Sequence, residues 1–229
     1  MSNESTSRSK IILSFFGRLT FFTLMWMAVF FLPAGTFVFW EAWIVLAILV
    51  IPMALGFFYW LKHDSVLVER RSKTTEKEAE QKLIIKILSV FFIFTFLIPG
   101  FDQHFGWSFV PTLIVILADI LLFLGYGMCF LVISQNRFAS RTVETEQNQT
   151  VISNGLYAIV RHPMYLGIVL ICVSLPLALG SYWAIIPAVL IIPVLAARIK
   201  SEESVLIKEL EGYQEYLQKT KYRLIPGVW

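Results

Sequence analysis

Apolar positions fall along the chain in long, nearly unbroken runs rather than in the narrow stripes of a soluble helix or strand. The runs approach the roughly 20 residues that a helix needs to cross about 30 Å of hydrocarbon, where its backbone must satisfy its own hydrogen bonds. Six helices are predicted, over residues 14–32, 38–61, 83–98, 109–133, 163–179 and 182–200. Pro33, Ala34 and Gly35 mark the first turn; Pro99, Gly100 and the polar patch around Asp102 and His104 mark the second; Gly180 and Ser181 mark the third. Pro176, Pro187 and Pro193 interrupt the last two helices, so that hairpin is expected to be short and kinked or partly embedded. The expected fold class is all-α: a polytopic transmembrane bundle of about six helices in one domain, whose last hairpin is followed by an amphipathic helix outside the membrane.

Composition agrees, since 57% of the residues are hydrophobic and only 15% charged, which excludes an ordinary soluble domain. The positions of Lys and Arg set the orientation. Arg8 and Lys10 precede the first helix; Lys62, Arg70, Arg71, Lys73, Lys77 and Lys82 lie between the second and third; Arg137, Arg141 and Arg161 lie between the fourth and fifth. The alternate turns carry no Lys or Arg, so both termini are expected on the cytoplasmic side. Topology thus accounts for the net charge of +3, and no separate basic stripe suggests nucleic acid. Residues 1–10 are polar and expected to be mobile, and the charged stretch 63–82 is expected to hold at most an amphipathic turn. The first apolar stretch is long enough to span and is not expected to be a cleaved signal. Cys129 and Cys172 fall inside apolar helices, where inert packing is expected rather than a disulfide or metal site.

Chemistry-bearing residues gather in the C-terminal part. Asn154-Gly155 favours a turn, and the run through Tyr157, Arg161, His162, Pro163, Tyr165 and Gly167 reads as a turn followed by a helix start, with Pro163 at the first helical position. Amides at such a start, with Arg161 and His162 beside them, suit a carboxylate. The plainer reading makes Arg161 a membrane-flanking anchor and the tyrosines part of the interfacial belt. Glu202 and Glu203 stand just past the predicted sixth helix, at the edge of a stripe formed by Leu206, Leu210, Tyr213 and Leu217. They are either an exposed acidic helix start or inward-facing acceptors for a cation or sugar hydroxyls. Because the short third turn returns the sixth helix to the face where the fifth begins, these segments are expected to meet.

The segment 136–167, the Glu202-Glu203 pair and the ending Tyr213, Tyr216, Arg223, Leu224, Ile225 and Pro226 together resemble the isoprenylcysteine carboxyl methyltransferase family. Gly-x-Tyr-x-x-x-Arg-His-Pro-x-Tyr-x-Gly, followed by a membrane hairpin and Glu-Glu, is specific in combination. The resemblance implies an enzyme: a membrane-embedded, S-adenosylmethionine-dependent methyltransferase with residues 1–133 as membrane helices and 134–229 as the cofactor-binding region. It implies a cofactor at the cytoplasmic face and a lipophilic or prenylated acceptor arriving from the bilayer among membrane lipid, most simply an isoprenylcysteine-like carboxylate. Tyr157, His162, Tyr165, Glu202 and Glu203 are then expected to bind the cofactor, and Glu203 and Arg161 to serve catalysis; Gly155 and Arg223 support the site. Methyl transfer rests on in-line alignment and exclusion of water. A carboxylate acceptor is already ionised, so no base is needed.

Other readings attach to other features. A phospholipid amine or a small thiol is the alternative acceptor, and a membrane reductase using a nicotinamide cofactor or a non-enzymatic transporter or assembly protein is the alternative function. Asp119, deep in the fourth helix, is a functional candidate by position and is expected instead to be protonated or paired within the bundle. Glu41 stands beside Trp40 and Trp43 near the predicted outer interface, and His63 and His104 read as solvated loop histidines. No metal is expected, since Cys and His lack ligand spacing, and no Walker loop or Gly-x-Gly-x-x-Gly element appears. The expected location is a bacterial plasma membrane, with the active site on its cytoplasmic side.

Overall fold

The computed structural model describes residues 2–64, 79–136, 138 and 149–229. Arg70, Arg71, Lys73, Lys77, Arg137 and Arg141 lie outside the described residues, as does most of the charged stretch 63–82. Seven α-helices follow in order among the described residues: α1 (Ser2–Ala34), α2 (Trp40–His63), α3 (Ala79–Phe105), α4 (Thr112–Gln135), α5 (Pro163–Ala178), α6 (Ile185–Glu209) and α7 (Tyr213–Lys219), with a single 3₁₀ turn, Gly155–Ala158, before α5. The described residues contain no strand, as the apolar runs require.

Four of these helices are long and apolar enough to cross a membrane: α1 over Ile11–Ala34, α2 over Trp40–His63, α3 over Gln81–Phe105 and α4 over Thr112–Gln135. This is an integral membrane protein. The expected fifth crossing is the 16-residue α5, about 24 Å at 1.5 Å per residue and so shorter than the hydrocarbon layer. The expected sixth is part of α6, which carries its helix beyond the apolar run into a charged end.

Several boundaries differ from the sequence reading. Pro33 and Pro99 lie inside α1 and α3 rather than in turns, so Asp102 and His104 belong to the end of α3, and His104 sets its Nδ1 3.3 Å from the Ala34 carbonyl. Proline removes one ladder bond, and inside a packed bundle neighbouring helices offset that cost. Residues from Ser2 onward continue α1 as helix, where a mobile polar segment was expected. Glu202 and Glu203 lie within α6, not beyond it, and the stripe Leu206 to Leu217 is divided between α6 and α7 by Gly212 at φ +79°. His63 closes α2, with Nδ1 2.7 Å from the Tyr59 carbonyl.

Packing separates two cores. Phe30, Phe31, Phe39, Val45, Leu49, Leu122, Leu175 and Leu179 form one, joining α1, α2, α4 and α5. Ile84, Leu88, Cys172, Ile191 and Leu195 form the other, joining α3, α5 and α6. At the end remote from the Arg-His-Pro segment, the buried Asp102 carboxylate accepts hydrogen bonds from the Ser108 amide and hydroxyl, both 2.7 Å, and from the Ser181 hydroxyl. That carboxylate fastens the α3–α4 turn to the α5–α6 turn, and so fixes how the last hairpin stands against the spans.

A close helix approach joins α4 to α5. A Cβ on Gly125 would stand 2.9 Å from Ile171 Cγ1 and 3.0 Å from the Gly167 carbonyl, and one on Gly167 would stand 2.7 Å from Cys129 Sγ. The glycine that ends the sequence motif is therefore required by helix packing. Two residues along α4, a Cβ on Gly127 would meet nothing within 4 Å. Gly125→Ala and Gly167→Ala are expected to destabilise by about 1–3 kcal/mol through overpacking. Gly127→Ala is expected to be neutral or to gain up to about 1 kcal/mol of helix propensity. Thermal unfolding in detergent of the three variants beside wild type checks the contrast.

Candidate functional site

The site begins at the end of α4. Gln135 reaches out from the last turn and its side-chain carbonyl accepts the Leu156 amide at 3.0 Å. The 3₁₀ turn can close this way because Gly155, at φ +57°, has no side chain: a Cβ there would stand 2.5 Å from Gln135 Oε1. Asn136, capping α4, donates to the Tyr157 hydroxyl at 3.0 Å. The Tyr157 carbonyl in turn accepts from the Tyr216 hydroxyl at 2.7 Å and the Thr220 hydroxyl at 3.2 Å. Tyr157 thus joins α4 to α7.

Arg161 and His162 follow, both buried, and their backbone amides donate to the carbonyls of Tyr222 and Arg223, each at 2.9 Å. Those two amides are occupied by the C-terminal tail. The Arg161 side chain donates through Nη1 to the Thr220 and Lys221 carbonyls at 3.1 and 2.9 Å. Its Nε donates to Glu203 Oε1 at 2.7 Å, and Arg223 Nε donates to Glu203 Oε2 at 2.7 Å. His162 Nε2 lies 3.2 Å from Glu203 Oε1; an ionised carboxylate only accepts, so Nε2 carries the proton. Burial works against the Glu203 charge, but the hydrogen bonds from His162, Arg223 and Arg161 outweigh it and hold the carboxyl down to about 2.

Glu202 faces differently. It lines a cavity of about 700 Å³ together with Tyr157, Arg161, His162, Tyr165 and Arg198, whereas Glu203 stands behind that wall. Glu202 Oε2 accepts the Tyr165 hydroxyl at 2.6 Å, and the same hydroxyl accepts from Arg198 Nε at 3.0 Å. Tyr213 also lines the cavity; its hydroxyl is buried and has no hydrogen-bond partner among the described residues, and burial raises its pKa. The structure therefore brings all six residues expected from sequence to one place. Five of them line the cavity, and Glu203 stands behind that wall as a clamp holding Arg161 and His162.

Arg198 is the cavity residue that the sequence reading missed. In the sequence it stands at the end of an apolar run, where an arginine reads as a membrane-flanking anchor. Its spacing of four from Glu202 was the available signal, because residues i and i+4 share a helix face. Asp119 is buried, and its Oδ1 has no hydrogen-bond partner among the described residues. It does not line this cavity. No group of three or more His, Cys, Asp or Glu suited to a metal occurs among the described residues.

Residues 112–208 match the model of the isoprenylcysteine carboxyl methyltransferase (ICMT) family. This is the family the motifs resemble, and it is a family of S-adenosylmethionine-dependent membrane methyltransferases. The ICMT match runs from the first residue of α4 nearly to the end of α6 and so contains Tyr157, Arg161, His162, Tyr165, Arg198, Glu202 and Glu203. Helices α1 to α3 and the tail from 209 lie outside it. No curated protein matches the chain.

The clamp makes a pH-dependent prediction. The folded-state carboxyl of Glu203 lies below its ordinary value of 4.5, so its contribution is fully present above about pH 4.5 and is lost as pH falls through that range toward 2. Tail docking is expected to be equal at pH 5 and pH 7 and to loosen below pH 4. Glu203→Gln is expected to loosen the tail at every pH, because it leaves Arg161 and Arg223 without their anion. Protection factors of the Arg161 and His162 amides in hydrogen exchange, and at pH 7 trypsin cleavage after Lys219 and Lys221, report the docking.

Proposed function

We propose that the protein transfers a methyl group from S-adenosylmethionine to the carboxylate of a lipophilic acceptor drawn from the bilayer. The observation that carries this reading is the order of side chains along the cavity face of α6. Leu195 comes first, then Arg198, then Glu202, with Val205 and Leu206 beyond. Successive positions stand about 5 Å apart along the helix. An apolar group, an anion and a cation are therefore accepted in that order from the bundle interior outward.

The residues present fit the cofactor. Glu202 supplies an anionic acceptor for ribose hydroxyls or a sulfonium, His162 and Tyr165 supply polar edges, and the unpartnered Tyr213 hydroxyl supplies a buried donor waiting for an acceptor. When bound, S-adenosylmethionine supplies an electrophilic methyl on a positively charged sulfur. Arg198 would hold the acceptor carboxylate, with Tyr165 fixing the guanidinium through its hydroxyl. Because that carboxylate is ionised near neutral pH, no proton has to leave and no general base is required. Catalysis then rests on alignment and on exclusion of water by the tail. Glu203 and Arg161, expected from sequence to be catalytic, act in this proposal as positioning residues. The proposed orientation puts the cavity on the cytoplasmic side, with the basic segments.

Calorimetry of S-adenosylmethionine and S-adenosylhomocysteine with the protein in detergent tests the cofactor assignment. Glu202→Gln and Tyr213→Phe are each expected to weaken binding about tenfold, the loss of one buried hydrogen bond. Absence of binding to wild type, folded in both detergent and lipid, would overturn the proposal. For the acceptor, Arg198→Met is expected to raise KM for a carboxylate at least tenfold while leaving cofactor affinity unchanged. A kcat that is flat from pH 6 to 9 is expected for a carboxylate; a rise across that range would indicate an amine or thiol that must lose a proton.

A further inference from the structure

Two cations stand inside the spans and away from the cavity. Arg18 lies within the apolar run Ile11–Ala34 of α1, and Lys86 within Gln81–Phe105 of α3. Both are exposed, and neither has a hydrogen-bond or ion-pair partner among the described residues. A charge in a spanning segment is costly without a partner, so the membrane around it has to supply one. Arg18 stands about 24 Å from Ala34 at 1.5 Å per residue, so its long side chain reaches the phosphate layer beyond about 30 Å of hydrocarbon.

Both cations flank one seam. Trp26 and Phe30 of α1 pack against Phe96 of α3 at 6.4 and 5.9 Å, and a Cβ on Gly100 would stand 2.8 Å from the Phe30 carbonyl and 3.0 Å from Pro33. The two helices therefore run parallel and in register there. Arg18 stands about 18 Å along α1 from Phe30, and Lys86 about 21 Å along α3 from Gly100, so their depths agree to within about 3 Å. At about 100° per residue, Arg18 is turned about 80° one way from Trp26 and Lys86 about 40° the other way from Gly100. On parallel helices that face each other, opposite rotations bring both side chains to the same side. It is the outer side, since Ile84 and Leu88 of α3 face the core shared with α5 and α6.

The seam is closed in one half only. Phe30, Phe31 and Ala34 are buried, but none of residues 11–29 is, and Phe15 stacks on Phe57 of α2 at 3.5 Å. Phe22, Val90 and Ile93 lie along the open half at 41%, 50% and 59% exposure. An apolar trough thus leads to two unpaired positive charges.

We propose that the open half of the α1–α3 seam seats an anionic phospholipid, its phosphate bridging Arg18 and Lys86 and an acyl chain lying over Phe22, Val90 and Ile93. Charge selects the occupant: two cations at one depth require an anion, and the exposed rings and branched chains beside them require that its other end be apolar. A phosphate diester has two free oxygens, one for the guanidinium and one for the ammonium. Lys82, exposed one turn beyond Lys86, stands where the rest of the headgroup would lie. In the proposed orientation this is the cytoplasmic leaflet, where anionic lipid is concentrated. The lipid completes the contact that α1 lacks with the bundle. Neither cation lines the cavity, so the site is separate from the proposed methyl transfer.

The test equilibrates the full chain in detergent with equimolar phosphatidylglycerol and phosphatidylcholine of matched acyl chains, and native mass spectrometry reads the lipid retained. Wild type is expected to retain phosphatidylglycerol about tenfold over phosphatidylcholine. Arg18→Gln and Lys86→Gln are each expected to lower that preference about fivefold. Arg18→Lys, which keeps the charge, is expected to preserve it. Lys62→Gln removes an exposed cation from the last turn of α2 and is expected to leave the preference unchanged. Equal retention of the two lipids by wild type would overturn the site, as would a fall in Lys62→Gln matching that in the seam variants, which is the mark of diffuse attraction. Release of the bound phosphatidylglycerol by millimolar inorganic phosphate would assign the cations to a free anion and overturn the lipid.

Discussion

One buried carboxylate, Glu203, accepts from Arg161, His162 and Arg223, and through them it connects parts of the chain that are otherwise far apart: the loop before α5, the end of α6 and the C-terminal tail. Charge in a low-dielectric site is tolerated only when paired and hydrogen-bonded, and here both oxygens are engaged. The same Arg161 holds the Thr220 and Lys221 carbonyls, and its amide and that of His162 pair with the tail backbone. Remove the anion and two guanidinium groups lose their common partner. The cavity wall formed by His162, Glu202 and Tyr213 depends on that clamp, because each of the three residues lies on an element the clamp connects.

The adjacent glutamates show how helix geometry assigns unlike tasks to like residues. About 100° of rotation separates Glu202 from Glu203 on α6. That rotation turns one carboxylate into the cavity beside Tyr165 and the other behind it among cations. From sequence the pair stood open between an exposed helix start and inward-facing acceptors, and its division was not legible, because the expected end of the helix lay before both residues. Once α6 is known to continue to Glu209, the phase of each side chain is set by Arg198 and Leu195 on the same face.

Long apolar runs gave the four spans and the last hairpin because burial of backbone in lipid leaves few other options. The motif around Arg161 and His162 pointed to a segment that lines the cavity. Pro33 and Pro99 misled, since proline's local cost is set against tertiary packing that no local pattern reveals. Arg198 was missed for a related reason: at the border of an apolar run, an arginine that flanks a membrane and one that faces a cavity have the same sequence context. Gly167 was recognised as part of a motif, yet its physical cause, the 2.7 Å that a Cβ would leave to Cys129 Sγ, belongs to a helix more than 30 residues away.

The bundle also explains why a membrane protein would place its chemistry at the end of the helices rather than within them. A charged donor and a charged acceptor cannot both meet at the bilayer centre without large desolvation cost, whereas an apolar tail gains by entering it. Along α6 the transition from Leu195 to Arg198 to Glu202 places that boundary within about 10 Å. Tyr213 and Tyr216 of the tail line the polar side, so the proposed transfer would be shielded there without the site lying in hydrocarbon. Both cores lie on the bundle side of that boundary, so the packing that stabilises the spans also holds the helices that carry the cavity.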